Sequence, residues 1–278
     1  MNHFSWRKII LAIVFWPVVA MTADLHFAPL PMLEERALRG QFSPLLEHIS
    51  YTQGTPVTWH YYPTYEEVID ALVRGDVNLA YLGPLPYIEL TEQHDFFTPL
   101  ARVREKDGTA AYECALTHFG AEEVPLQMLQ HTRFALTQPL STCGSFAVSV
   151  MLSRVGLALN THGNRHDFTG GHDKAALAVL AGDADAAGLK AAIAKRYASL
   201  GLRVIETAGP YPGFAFIADT RTLDAGEIQK LRETLLEFTQ DSNTESWLSR
   251  GMISASDDEY EQLRADWHQV KHIISTLK

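Results

Sequence analysis

The residues best suited to chemistry lie in one short segment, Ser-Thr-Cys-Gly-Ser at 141–145. The apolar run at 134–136 predicts a buried strand before it, and apolar residues with helical spacing follow from Phe146 to Val155. Small hydroxyl residues ahead of a helix can cap its free N–H groups. The same N–H groups, with the positive end of the helix dipole, can instead bind an anion, and Gly144 would let an oxyanion approach the backbone closely. The segment alone leaves both interpretations open, a plain N-cap and an oxyanion site.

Length, composition and charge limit the classes of protein. The 278 residues allow one large or two medium domains, and the hydrophobic and charged fractions, 46% and 20%, match an ordinary globular protein. The formal net charge of −10 argues against nucleic acid or an anionic membrane surface as the partner. A small anionic ligand remains compatible, because the local field of a pocket can oppose the net charge. No close-spaced set of His, Cys, Asp and Glu predicts a metal site, and we expect no cofactor.

The first 23 residues have the pattern of a signal peptide. Arg7 and Lys8 form a basic start, and the apolar run at 9–19 is too short to span a membrane comfortably. We expect cleavage after Ala23, with Ala20 as the alternative site and an uncleaved membrane anchor as the alternative interpretation. The mature chain is therefore predicted to be exported.

Two cysteines, Cys114 and Cys143, would then lie in an oxidising compartment. Such a compartment permits one disulfide between them. The sequence leaves their pairing open, because it contains no information on the separation of the two Cα atoms.

Alternating strand and helix patterns predict an α/β fold with a mostly parallel sheet. Strand patterns at 25–30, 57–62 and 77–82 are followed by helix patterns at 34–49, 64–75 and 87–92. We expect Pro44 in the first turn of its helix rather than in the middle. A helix, a Gly-Asp turn and a small-residue strand at 174–189 repeat the pattern of 65–82, so the two halves look alike. The segment 225–278 is predicted to be helical.

Several motifs occur in an order that resembles a known family. The segment Gly-Asp-Val-Asn-Leu-Ala-Tyr-Leu-Gly-Pro at 75–84 follows the Tyr65 helix, and Tyr112 follows Lys-Asp-Gly at 106–108. Ser-Thr-Cys-Gly follows a strand, and Gly-Gly-His-Asp at 170–173 precedes an alanine-rich helix and a Gly-Asp-Ala-Asp turn. This ordered set covers nearly the whole mature chain and resembles the phosphate-, phosphite- and phosphonate-binding proteins that feed ABC importers.

The resemblance implies a two-lobed type II periplasmic-binding-protein fold, with two hinge strands and a central ligand cleft. The first lobe would comprise 24–110 and 208–278, and the second 111–207. The oxyanion of the ligand would lie on the helix after Ser141 and Thr142, Tyr65 and Tyr112 would hydrogen-bond it from the other side, and His172 would complete the cage. The implied ligand-binding residues are Tyr65, Tyr112, Ser141, Thr142, Cys143 and His172. Without the resemblance, Tyr65 is better explained as an amphipathic residue at a helix start. Tyr112 is then equally well explained as a core aromatic residue of its strand.

Two departures from the family pattern bear on the ligand. Cys143 stands where the family has a third hydroxyl, and a thiol is a weaker donor. Members that bind aminoalkylphosphonates carry an acid a few residues after the element matched by Asp185, whereas this chain has Leu-Lys-Ala-Ala at 189–192. We expect Lys190 to be exposed on a helix surface and the amine to lack a partner, unless Asp173, Asp183 or Glu113 reaches the cleft.

The resulting prediction is a periplasmic solute-binding protein for a small phosphorus oxyanion. Its expected partners are the ligand and the membrane subunits of an ABC importer, and we expect a monomer. A sensing module that reports to a separate membrane sensor kinase is the alternative. An enzyme that uses Ser141 or Cys143 as a nucleophile and His172 as its base is disfavoured, because neither nucleophile lies in a Gly-x-Ser-x-Gly pattern.

Overall fold

The structure is a computed structural model that describes residues 23–240 and 248–277. In this part of the chain eleven strands form two sheets. The strands are β1 (Leu25–Pro29), β2 (Val57–Trp59), β3 (Leu79–Leu82), β4 (Phe97–Val103), β5 (Ala111–Phe119), β6 (Arg133–Leu136), β7 (Arg165–Phe168), β8 (Ala186–Lys190), β9 (Leu202–Pro212), β10 (Ala215–Asp219) and β11 (Met252–Ser254).

Helices pack around both sheets. The α-helices of the described residues are α1 (Glu35–Gln53), α2 (Tyr65–Arg74), α3 (Pro84–Thr91), α4 (Ala147–Ser153), α5 (His172–Ala181), α6 (Ala191–Tyr197), α7 (Ala225–Glu237) and α8 (Glu261–Ile274). A π-helical turn, Thr142–Phe146, leads directly into α4.

The two sheets share one topology. The spatial order is β11-β4-β10-β3-β1-β2 in the first sheet and β7-β6-β8-β5-β9 in the second. In each sheet one strand, β1 or β6, pairs in parallel with both of its neighbours. Two positions further along, β10 or β5 runs antiparallel to both of its neighbours. The prediction of a mostly parallel sheet is therefore wrong in detail, because β5 and β10 enter from the other sheet without the crossover helix that parallel pairing needs.

The chain passes between the sheets twice. It leaves the first sheet after β4 and returns between β9 and β10. The two connections touch, because the Gly213 N–H donates to the Ala110 carbonyl at 2.8 Å. Helix α8 contacts the other half as well, since the rings of Trp267 and Phe146 lie 6.4 Å apart. The lobe limits near 110 and 207 stay predictions.

Local sequence signals account for the helices that border the space between the sheets. Thr64 caps α2 by accepting from the Glu67 N–H at 3.2 Å, and Gly75 ends this helix in the left-handed conformation at φ 81°. Gly182 ends α5 in the same way at φ 79°. The predicted repeat of a helix, a Gly-Asp turn and a strand is thus confirmed in both halves.

Other expectations are wrong. Pro44 lies in the middle of α1 rather than in its first turn. The buried face of this 19-residue helix, with Phe42, Leu45 and Leu46 beside the proline, offsets the backbone hydrogen bond that Pro44 cannot make. The segment from 225 onward holds two helices and strand β11, which pairs with β4 at the sheet edge. Its three residues are too few for a periodic signal.

The predicted signal peptide lies outside the described residues except for Ala23. Among the residues that are described, no helix is both long enough and apolar enough to cross a membrane.

Candidate functional site

One cavity of about 330 Å³ brings together all six residues singled out by the sequence. They come from both sides: Tyr65 from the first residue of α2, Tyr112 from β5, the Ser141–Cys143 segment from the π-helical turn, and His172 from the first residue of α5. The strand ends and helix starts of both sheets therefore meet around a single space.

The start of the π-helical turn is organised by Ser141. The Oγ of Ser141 accepts a hydrogen bond from the Gly144 N–H at 3.0 Å, and the Ser141 carbonyl accepts from the N–H groups of Ser145 and Phe146. The predicted N-cap is confirmed, and the hydroxyl proton of Ser141 is still available for donation. The Thr142 and Cys143 N–H groups precede the first bonds of the helix and have no partner within the described residues.

Gly144 is required for the close packing of this turn. A Cβ at this position would lie 2.0 Å from Thr137 Oγ1 and 2.8 Å from the Thr137 backbone nitrogen. Thr137 follows β6 and lines the cavity, and its buried Oγ1 has no hydrogen-bond partner within the described residues. Sequence reasoning missed Thr137, although its place directly after a buried strand could have indicated it.

A disulfide joins Cys143 to Cys114, with their Cα atoms 4.9 Å apart. Both cysteines are buried. The bond ties the π-helical turn to β5, two residues after Tyr112. It settles the pairing that the sequence left open, and it removes the thiol proton of Cys143. The side chain of Cys143 therefore can neither donate a hydrogen bond nor act as a nucleophile, and its backbone N–H is the group that remains.

The two tyrosines present their hydroxyls in a buried setting. Burial raises the pKa of Tyr65 and of Tyr112 well above the usual range, so both keep their protons at neutral pH. Tyr112 lies within hydrogen-bonding reach of Thr142. The ammonium of Lys190 lies 4.7 Å from the centre of the Tyr112 ring.

His172 is held in its neutral form. Burial, and next the positive charge of Lys190, lower its pKa to about 4. Its Nδ1 is shielded from solvent and has no hydrogen-bond partner within the described residues. The Gly188 carbonyl lies within hydrogen-bonding reach of the ring. A neutral imidazole has one N–H donor and one acceptor nitrogen, so His172 adds a polar group without a charge to the cavity wall.

The two sides of the cavity already touch. The Tyr65 N–H of α2 donates to Gln138 Oε1 at 3.2 Å, and the Leu85 N–H of α3 donates to Thr142 Oγ1 at 3.1 Å. The start of α2, from one sheet, thus meets the loop before the π-helical turn, and the start of α3 meets the first residue of that turn, from the other sheet.

An ion pair forms part of the cavity wall. The ammonium of Lys190 lies 2.7 Å from both carboxylate oxygens of Glu105, and the two side chains are 23% and 25% exposed. The expectation of an exposed Lys190 is wrong, because the residue ends β8 and its side chain lines the cavity. Glu105 follows β4, and no sequence signal connected it to the site.

The three acids that were alternative partners for an amine are placed differently. Asp173 lines the cavity, but its Oδ1 accepts from the Tyr197 hydroxyl at 2.8 Å and lies 3.1 Å from Arg196. Asp183 and Glu113 are exposed and do not line the cavity.

A family model described as the periplasmic substrate-binding protein of phosphonate ABC transporters matches residues 27–260. The chain belongs to this family. Its members are substrate-binding components rather than enzymes, and they work outside the cytoplasmic membrane.

Known relatives and solved structures agree with this membership. The phosphate-import protein PhnD of Mycolicibacterium smegmatis is 26% identical over 173 residues, or 58% of this chain and 53% of that protein. The match thus spans about half the length of this curated relative.

Two solved structures superpose with a TM-score of 0.76. PhnD1 of Prochlorococcus marinus, in complex with methylphosphonate, is 16% identical, with 90% of this chain and 99% of that chain covered. A binding-protein component of a phosphonate ABC transporter of Pseudomonas aeruginosa is 17% identical, with 92% and 89% covered. At this identity the likeness concerns the fold alone. It confirms the predicted α/β, two-lobed type II periplasmic-binding-protein fold.

Proposed function

We propose that this protein is a periplasmic solute-binding protein that captures a phosphorus oxyanion and delivers it to the membrane subunits of an ABC importer. The ligand class is phosphate, phosphite or a phosphonate. The segment 1–23 acts as the signal peptide for export. The observation that carries the proposal is the convergence of uncharged hydrogen-bond donors from both sheets on one buried cavity.

The donor set suits a tetrahedral oxyanion. The hydroxyls of Tyr65, Tyr112 and Ser141 retain their protons, and the N–H groups of Thr142 and Cys143 lie at a helix start. Helix starts favour anions through their free N–H groups and the helix dipole. Hydrogen bonds to an ionised acceptor are stronger than those between neutral groups. The ligand is thus held by many donors from several directions rather than by one counter-ion.

The same arrangement couples binding to closure of the two lobes. Tyr65 lies on the first sheet's side, whereas Ser141 and His172 lie on the other. A ligand that contacts both sides stabilises the closed state by these differential contacts. Closure gives the importer a signal that the site is occupied.

A thermal-shift panel with the mature chain, residues 24–278, tests the ligand class. A ligand held only by the native state raises the melting temperature. We expect phosphate, phosphite or methylphosphonate to raise it, and sulfate and nitrate to have no effect at equal concentration. Small-angle scattering at saturation should then show a smaller radius of gyration. Stabilisation by sulfate or nitrate alone would contradict the proposed ligand class.

A further inference from the structure

The cavity is larger than a bare oxyanion needs. Its volume of about 330 Å³ lies at the lower end of the range, about 300–1,000 Å³, found for pockets that hold drug-sized molecules. A phosphate or methylphosphonate ion has five non-hydrogen atoms. The additional cavity volume does not result from the two sides lying apart, because hydrogen bonds from the N–H groups of Tyr65 and Leu85 already join them.

Much of the remaining wall is aromatic, and this part begins at the oxyanion donors. The ring of Phe214 lies 6.2 Å from that of Tyr112 and 5.3 Å from that of Tyr81, and Tyr81 lies 5.3 Å from Phe42. All four rings line the cavity. They form a continuous aromatic surface that leads from Tyr112 toward α1. Aliphatic side chains, among them Leu33 just before this helix, line the cavity too.

The charged groups in the wall are largely paired with the protein itself. Lys190 and Glu105 bind each other, and Asp173 is held by Tyr197 and Arg196. Lys106 lines the cavity but is exposed. A charged substituent on the ligand would have to compete with these contacts or reach the solvent side. An uncharged apolar substituent would bury surface against the aromatic wall without breaking any of them.

We propose that the physiological ligand is a phosphonate that carries an apolar organic substituent, with the phosphonate group at the donors and the substituent against the surface formed by Phe42, Tyr81 and Phe214. The inference rests on the proposed function and names the substrate class of the same site. Each additional methylene that becomes fully buried raises affinity about fourfold. Butylphosphonate should therefore bind at least about tenfold more tightly than methylphosphonate, even with partial burial.

Isothermal titration of the mature chain with methylphosphonate, butylphosphonate and 4-phosphonobutanoate tests the inference. The last ligand has a similar length but ends in a carboxylate, which Lys106 could bind. We expect butylphosphonate to bind most tightly of the three. Equal or tighter binding of methylphosphonate, or tightest binding of 4-phosphonobutanoate, would overturn the inference and leave the proposed function standing. If phosphate or phosphite binds but no phosphonate does, the inference fails and the proposed function stands. If none of these oxyanions binds, both fail.

A pair of exposed leucines supplies a matched variant and control. Leu33 lines the cavity and is 45% exposed, whereas Leu200 is 59% exposed and lies outside the cavity. In Leu33→Asn the preference for butylphosphonate over methylphosphonate should fall at least about threefold, and in Leu200→Asn it should match the unmodified chain. An unchanged preference in both variants would contradict the placement of the substituent. Because both side chains are on the surface, neither change opens a cavity in the core.

Discussion

The helix that follows the first parallel strand differs between the two halves, although their sheets have the same topology. In the first half α1 begins at Glu35, directly after Glu34, and no side chain caps it. In the second half the equivalent helix begins with Ser141 as its cap and has no acidic residue in its first turn. Acidic residues satisfy the positive end of a helix dipole, whereas their absence leaves that end available to an anionic ligand. The comparison supports the proposal that the oxyanion binds in the second half, at this helix start.

A second pair of helices extends the contrast. Helix α2 is capped by Thr64 and has Glu66 and Glu67 in its first turn, so its own residues occupy its start. Helix α5 follows Gly171, which offers no side-chain cap, and begins with His172. Its first turn has one acidic residue, Asp173, whose carboxylate is bound by Tyr197 and Arg196. The first half thus contributes a tyrosine hydroxyl, while the second half contributes helix N–H groups and a neutral imidazole.

The largest expected effect comes from removing the hydroxyls at the favoured helix start. Ser141→Ala with Thr142→Val should lower oxyanion affinity about tenfold to a hundredfold, because the Ser141 hydrogen bond to a charged group contributes about 1.5–3 kcal/mol. The second change also removes the acceptor of the Leu85 N–H, which joins the two sides of the cavity. Titration calorimetry measures this loss. The matched control is Thr64→Ala, which removes the cap of α2 outside the cavity. It should cost about 1 kcal/mol of stability and change affinity little. Equal losses of affinity in the two variants would remove the contrast between the halves.

Among the described residues, the disulfide lies in the second half. Removing it is the next test of the contrast between the two halves. Replacing both Cys114 and Cys143 by Ala should lower the free energy of unfolding by about 3 kcal/mol, since the bond closes a loop over a sequence separation of 29. Urea denaturation measures the change, and a reducing agent should reproduce it in the unmodified chain but not in the variant. Affinity should change only severalfold, because the Cys143 N–H survives. Loss of all binding in a folded variant would show that the bond itself positions the helix start.

Two glycines in equivalent helices give a smaller and sharper contrast. In Gly144→Ala the new Cβ would collide with Thr137 Oγ1, so the loop must shift, and stability should fall by about 1–3 kcal/mol together with ligand affinity. In Gly40→Ala, within α1, the new Cβ meets no atom within 4 Å. That variant should be neutral or more stable by about 0.5–1 kcal/mol. Thermal unfolding compares the two, and a tolerated Ala at position 144 would contradict the tight packing of the π-helical turn.

Sequence patterns predicted the elements whose signals are local. The Thr64 cap, the Gly75 and Gly182 stops and the strand before Ser141 all depend on neighbouring residues, and the structure contains each of them. The pattern failed where long-range packing decides. Strand β11 exists through its pairing with β4, and Pro44 is tolerated within a long packed helix. The resemblance supplied the six cavity residues, but the Glu105–Lys190 pair joins segments 85 residues apart and has no local signal.

The starts of α3 and α6 form a third equivalent pair. They concern the selectivity for the substituent of the ligand, and the expected difference in affinity is the smallest of those predicted. Helix α3 follows Gly83, whereas α6 follows Lys190, whose ammonium occupies both oxygens of Glu105. A ligand amine would therefore find Glu105 already paired and would lie near a second positive charge. An unpaired buried charge is costly, so 2-aminoethylphosphonate should bind about tenfold more weakly than methylphosphonate, a difference of about 1.4 kcal/mol. A competition titration measures the ratio, and equal or tighter binding of the amine would contradict the assignment.

Replacing the lysine sharpens the same prediction. In Lys190→Gln the carboxylate of Glu105 loses its cationic partner and becomes available to the ligand amine. The ratio of the two affinities should then move toward 2-aminoethylphosphonate by about tenfold, even if both ligands bind more weakly without the positive charge. Lys195→Gln is the matched control, because Lys195 is exposed on α6 and does not line the cavity. The ratio should stay unchanged in that control. If Lys190→Gln also leaves the ratio unchanged, Glu105 does not face the substituent of the ligand, and the weak binding of the amine must arise from the apolar wall alone.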